Sequence, residues 1–162
     1  MLTDQKLREM LSYDMTTGVF IWRQNVRRAK AGQEAGVKRP DGYLIITFNQ
    51  RSYRAHRLAW FYVYGEWPRG ELDHINCDPS DNRISNLRVA TRAQNVANTR
   101  RKCSSGNMLK GVTPARDGVR YKAQIRVNGK NTYLGTYDSE LTAHRAYCEA
   151  AKKEFGAFFR SE

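Results

Sequence analysis

LDHIN (Leu72–Asn76), followed by DNRISNLRVATRAQN (Asp81–Asn95), is the stretch on which the reading of this 162-residue chain turns. It holds an Asp-His pair, Asp73 and His74, then Asn86 twelve positions after the histidine, then Asn95 nine further on. Residues 71–75 have the make-up of a strand and the segment through Asn86 that of an irregular loop. Leu87–Ala90 reads as a second strand. Thr91 is a good N-cap, so a helix would start there and carry Asn95 one turn inside it. A carboxylate and an amide oxygen brought together in this way would suit a hard divalent cation, with positions left for other oxygen donors. Alternation along a strand sends Asp73 and His74 to opposite faces, so they share a site only at a bend or at the strand's end.

Working outward, the totals bound the partner. The chain carries 28 Lys+Arg against 16 Asp+Glu, a formal charge of +12. The excess appears in both halves; beyond Arg100 there are 12 basic and 6 acidic residues. A polyanion, and nucleic acid in particular, is the partner this favours over a merely basic surface, with phosphate neutralisation making the affinity salt-dependent. The apolar share of 40% is that of a chain with small cores rather than a disordered one. No apolar run approaches the roughly 20 residues of a membrane span, and MLTDQKLREM lacks the order of a signal peptide, so a cytoplasmic protein is expected. Cys77, Cys103 and Cys148 are odd in number and unpaired in spacing, which argues against a disulfide framework or a structural zinc.

Along the chain, Leu2 and Leu7 flank Thr3 as a staple around an N-cap, predicting a helix from about Asp4 to Leu11. TTG (Thr16–Gly18) reads as a turn into a strand, Val19–Trp22. Residues 23–39 read as a basic loop, either touching phosphate through Arg27, Arg28 and Lys30 or simply solvated. Tyr43–Phe48 is a strand with Leu44, Ile46 and Phe48 on one face, and Asn49–Arg51 turns it into Ser52–Ala55. HRLAWFYVY (His56–Tyr64) is apolar almost all round, a buried helix ended by Gly65; its His56 reads as a packed histidine rather than a ligand.

Thr99–Met108 keeps no periodicity and reads as a linker. In VRYKAQIRVN (Val119–Asn128), Tyr121, Ala123, Ile125 and Val127 alternate with Arg120, Lys122, Gln124 and Arg126. Asn128-Gly129 is a strong hairpin signal, Thr132–Tyr137 a further strand. Asp138 would cap a helix to about Glu154, with Ala143, Ala146, Tyr147 and Ala150 inward, Gly156 as its stop and His144 at the surface. One sheet face would be covered by that helix and the other left bare and basic.

Hydrolysis of a phosphodiester needs a polarised water, a Lewis acid on the phosphate and help for the leaving oxygen. One divalent ion beside a neutral imidazole supplies those elements. The segment from His56 to Asn98 resembles the HNH family of homing and phage endonucleases with their ββα-metal motif. YDMTTGVFIW, DGYLI and AHRLAW are similar to the N-terminal region of such enzymes. The resemblance implies Asp73 and Asn95 as metal ligands, His74 as general base and Asn86 as the brace of the loop that holds the first strand. Where the family presents a second histidine this chain has Asn95, so one ion is expected, and oxygen donors with His74 make it Mg²⁺ or Mn²⁺. The resemblance implies double-stranded DNA as substrate, and one site in a monomer predicts a nick in one strand.

KGVTPARDGVRYKAQIRVNGKNTYLGTYDSELTAHRAYCEAAKKEFG (Lys110–Gly156) resembles the ethylene-response-factor (AP-two/ERF) type of DNA-binding domain, through Gly111-Val112, Ala123–Arg126, Leu134–Tyr137 and Ala143–Ala151. That resemblance implies a three-stranded sheet in the major groove with a helix behind it. Arg116, Arg120, Lys122, Gln124, Arg126 and Tyr133 are the DNA-binding candidates, with Gln124 and Arg126 first for base edges. The expectation is therefore an α+β chain: an HNH nuclease domain over 1–100 with its core at about 56–98, a linker at 101–109, and the DNA reader over 110–162. The competing expectation is a sequence-specific DNA-binding regulator whose nuclease domain is inactive.

Overall fold

The computed structural model describes residues 2–48, 50–99, 108–127 and 129–161. The expected turn at Asn49, the turn residue Asn128, Cys103 and the body of the expected linker lie outside the described residues. The chain divides into two compact units, residues 1–90 and 91–162.

In the first unit, α1 (Asp4–Met10) starts at Thr3, whose hydroxyl accepts the Lys6 N–H at 3.2 Å. It stops one residue sooner than the pattern suggests. Leu11 turns extended and opens β1 (Leu11–Tyr13), which pairs antiparallel with β2 (Phe20–Trp22). The fully buried Leu11 side chain belongs to the core in either conformation, so its apolar character could not mark the boundary. Residues 23–39 hold more order than a plain loop. Val26 and Ala29 exchange backbone hydrogen bonds at 2.8 and 3.2 Å, which puts Arg27 and Arg28 at the tip of a tight turn. β3 (Val37–Lys38), β4 (Leu44–Phe48) and β5 (Arg51–Arg54) then form an antiparallel sheet in that order.

β5 passes directly into α2 (Ala55–Tyr64), which ends at Gly65 with φ +72°. This left-handed cap is open to glycine without steric cost. Leu58, Ala59 and Phe61 of α2 join Leu7, Leu11, Phe20, Trp22, Ile46, Phe48 and Leu87 in one core. Each large side chain buried there contributes about 1.5–3 kcal/mol. Leu87 comes from the last pair of strands, β6 (Glu71–His74) and β7 (Leu87–Ala90), which run antiparallel with Asp73 opposite Arg88 and His74 opposite Leu87. A single 3-10 turn, Ile84–Asn86, leads into β7.

The second unit begins with α3 (Arg92–Asn98). Its N-cap Thr91 and Gln94 form a reciprocal capping box, satisfying two otherwise unbonded N–H groups. β8 (Val112–Pro114), β9 (Tyr121–Val127) and β10 (Lys130–Tyr137) make a three-stranded antiparallel sheet with β9 central. α4 (Glu140–Phe155) lies against it and ends at Gly156. Its cap is Ser139, not Asp138: the serine hydroxyl accepts the Thr142 N–H at 3.2 Å. Ala143, Tyr147 and Ala151 form its buried stripe, with Ala146 and Ala150 at the flanks. Ala123 and Ile125 of β9 meet that stripe, so the alternation expected for this strand is the one observed. A bulge at Leu134 shifts the register between Tyr133 and Gly135. His144 is half-buried rather than at the surface, its Nδ1 2.8 Å from the Lys110 carbonyl oxygen. Among the described residues no helix is long and apolar enough to cross a membrane.

Candidate functional site

Asp73 and His74 end β6, and both are buried, at 4% and 6% exposure. Their contacts differ, as alternation requires. The Asp73 carboxylate Oδ2 accepts from Arg88 Nε across the ribbon at 2.8 Å. The His74 ring faces two aromatic neighbours, the His56 ring at 5.0 Å edge-on and the Tyr43 ring at 5.9 Å. Tyr43 also lies 5.3 Å from His56, and the Arg54 guanidinium sits 4.5 Å from the centre of the Tyr43 ring. The imidazole thus occupies an aromatic corner made by β6, the start of α2 and the residue before β4.

The loop that follows is stapled from within. Asn86 Oδ1 accepts the Asn76 N–H at 3.0 Å, while its Nδ2 donates to Asn76 Oδ1 and to the Asp81 carbonyl at 3.0 and 2.9 Å. The Asn86 carbonyl accepts the Ile75 N–H at 2.9 Å. One amide side chain therefore ties both ends of residues 75–86. Asp81 accepts from Arg83 and from Asn76 Nδ2, and this holds its carboxyl down at about 2. The Ser80 hydroxyl and N–H hold Asp78 below the usual carboxylate range in the same way. Tyr13 reaches in from β1 to donate to the Asn82 carbonyl at 2.7 Å.

Burial pushes the His74 imidazole below its ordinary pKa, against the opposing pull of the Asn82 amide and the carboxylates of Asp73, Asp78 and Asp81. Burial pushes His56 further, to about 3, helped by His74, Arg54 and Arg57. Both rings are therefore neutral in the folded chain near pH 7. The unfolded chain binds protons there below about pH 6.5. The stability that the neutral His56 ring contributes is fully present above that pH and is lost as the pH falls toward 3. Denaturant melts between about pH 6 and 4 should lose about 1.4 kcal/mol per pH unit through His56, which charges there only on unfolding. His56→Gln should flatten that slope; an unchanged slope would show that His56 titrates alike in both states.

The Gly18 backbone packs directly against this loop at residues 82–83. A Cβ built on it would lie 2.4 Å from the Arg83 nitrogen and 2.6 Å from the Asn82 carbonyl carbon, and its φ of +76° is unfavourable for other residues. Both atoms struck are backbone, so no rotamer change can relieve the clash. Gly18→Ala should destabilise the chain by about 2 kcal/mol or more, read as a lower midpoint in urea. A midpoint within error of the parent would mean that the turn can move away.

Asn95 lies in the first full turn of α3, in the second unit, half-buried, with its N–H bonded to the Thr91 carbonyl at 2.9 Å. Among the described residues no group of three or more His, Cys, Asp or Glu side chains is placed to hold a metal ion. An Asp carboxylate and an Asn amide would offer a cation oxygen donors alone, which suits a hard ion. An ion at Asp73 would share its carboxylate with Arg88.

The DNA-binding candidates sit mostly on one face of the second unit's sheet. Lys122, Gln124 and Arg126 lie opposite Thr136, Tyr133 and Asn131 respectively. Lys122 Nζ is 5.8 Å from the Tyr133 ring, whose hydroxyl is 2.7 Å from Thr136 Oγ1. Arg120 departs from the group: it precedes β9, and its Nε donates to Asp117 at 2.6 Å in an exposed pair. Arg116 is exposed in the same turn.

Tyr43, His56, Asn76, Asn82 and Arg88 are the neighbours that sequence reasoning did not assign to the site. The histidine two residues after Arg54 was visible, but nothing local placed it against His74.

Three similarities bear on this arrangement. Residues 53–97 match the family model described as HNH endonuclease, a span that includes Asp73, His74, Asn86 and Asn95. The chain is 34% identical over 112 residues to an AP2-like ethylene-responsive transcription factor of Oryza sativa subsp. japonica, covering 64% of this chain and 17% of that protein. It is 28% identical over 78 residues to protein 3.8 of Escherichia phage T7, covering 48% of this chain and 64% of that protein. The chain thus spans less than two thirds of either relative. The family match makes residues 53–97 similar to HNH endonucleases.

Proposed function

We propose that this chain is a metal-dependent endonuclease that hydrolyses one strand of double-stranded DNA per encounter and holds its target through the sheet of the second unit. The observation that carries the reading is a neutral, buried imidazole at the end of a strand, beside a carboxylate, inside a stretch that matches HNH endonucleases.

His74 would act as general base, taking the proton of the attacking water. Its burial favours the neutral ring that this step requires, and Tyr43 and His56 restrict its orientation. Asn86 would keep the loop after β6 in register, so that the strand end stays fixed during the reaction. Asp73, with Asn95, would hold one Mg²⁺ or Mn²⁺, an assignment that rests on the family match and on the oxygen character of both donors. The ion, when bound, supplies Lewis-acid polarisation of the phosphate and stabilises the leaving oxygen. Gln124 and Arg126 would be the first to read base edges and Arg116 and Arg120 the next, while Lys122 and Tyr133 complete the DNA-binding face. A single such site in a monomer leads to a nick.

The test is incubation of supercoiled plasmid with the protein and Mg²⁺. Conversion to the open-circular form, abolished by EDTA, is the expected result. The likeness to a transcription factor favours a second reading, a DNA-binding regulator. Tight duplex binding with no cleavage under Mg²⁺ or Mn²⁺ would select that reading and overturn the first.

A further inference from the structure

The first unit carries an open groove of about 1570 Å³ whose walls include none of Asp73, His74 and Asn86. One wall is the tight turn whose tip holds Arg27 and Arg28. The floor is the outer face of the β3–β4–β5 sheet, where Ile45 stands opposite Arg54 and Thr47 opposite Ser52. Arg39, just beyond β3, lines it as well. Four arginines thus face one groove whose acidic lining is Glu34. Arg27, Arg28 and Arg39 are exposed and have no carboxylate partner among the described residues. Lys30, the third basic residue singled out in this loop, is not part of the lining.

Guanidinium groups that line one groove and outnumber its acidic groups repel one another, an arrangement that a polyanion relieves. The groove is larger than the roughly 300–1,000 Å³ typical of small-molecule sites. Its aromatic side chains, Trp22 and Phe48, are buried in the core. It therefore lacks the exposed aromatic platforms that stack single-stranded bases. We infer that this groove is a second, sequence-independent DNA-binding site that grips the phosphate backbone of duplex DNA through Arg27, Arg28 and Arg39. This inference rests on the reading of the chain as a protein that acts on DNA. It gives the first unit a hold on substrate that does not pass through the C-terminal sheet.

The test is duplex binding by the full chain, followed by fluorescence anisotropy of a labelled DNA over a range of KCl concentrations. The slope of log K against log salt becomes shallower by about 0.9 for each phosphate that the protein no longer neutralises. R27A/R28A/R39A should therefore flatten the slope by about 2 to 3 and weaken binding about tenfold or more at low salt, equally for unrelated sequences. Glu34→Lys adds charge to the same groove and should steepen the slope by about 1, a gain that no folding defect can imitate. A folded triple variant with the parent slope, or a Glu34→Lys slope equal to the parent's, overturns the inference. Tighter binding of duplex RNA or anionic lipid vesicles than of duplex DNA overturns it too. Failure of the parent protein to bind or nick duplex DNA would instead sink the proposed function.

Discussion

His74→Ala is expected to cut Mg²⁺-dependent plasmid nicking by about a thousandfold, within the roughly 10²–10⁴ range for loss of a positioned general base. The loss should fall on turnover and not on DNA affinity. His74 is 6% exposed among Tyr43, His56 and Asn82; it is no part of the second unit's sheet and does not line the arginine groove. Single-turnover rates at saturating protein separate the two effects, and duplex affinity should change less than about twofold. Truncating a buried ring also leaves a cavity, so His74→Gln serves as a second variant that fills more of the space. It should remain as slow as the alanine form while melting closer to the parent. Nicking by either variant at the parent rate would remove His74 from the mechanism.

Asp73→Ala carries the second large effect, and here stability falls together with activity. Its carboxylate is 4% exposed and pairs with an Arg88 side chain that keeps 17% exposure. Removing one member of a buried ion pair takes a counter-charge from the other, at a cost of about 3–5 kcal/mol. The residual exposure of Arg88 puts the expectation at the lower end, about 3 kcal/mol. Replacing both members with apolar residues, as in Asp73→Leu with Arg88→Met, should recover most of that loss, since neither charge of the pair then has to be buried. Nicking should stay abolished in the double variant, because the proposed ion has lost its carboxylate. Urea melts and plasmid nicking of the single and double variants decide the matter. Recovery of nicking in the double variant would mean that Asp73 serves only as the partner of Arg88.

Much of the local structure could be read from residue order because it depends on neighbours a few positions apart. Thr3, Thr91 and Gly65 act at helix ends through bonds to the next turn, which a short window contains. The alternation of β9 likewise needs only one strand and its two unlike faces. The misses have the same origin in reverse. β1 and β8 are three residues long, too short to display a period, and exist because their partner strands hold them. Asp138 and Ser139 both have capping side chains, and the choice between them depended on which one the backbone leaves beside the Thr142 N–H.

The site divides along the same line. Residue order alone singled out Asp73, His74 and Asn86, because an acid-imidazole pair and an amide at loop spacing carry their chemistry in their side chains. Which groups surround them was settled by tertiary structure. Arg88 meets Asp73 through strand register, His56 and Tyr43 meet His74 through the seating of α2 and the β3–β4–β5 sheet, and Gly18 fits under residues 82–83 through the return of the first hairpin. Each of those pairings joins residues 15 to 65 positions apart. Side-chain chemistry is a property of single residues, whereas burial, and with it the lowered pKa of both histidines, exists only once distant segments have excluded water together.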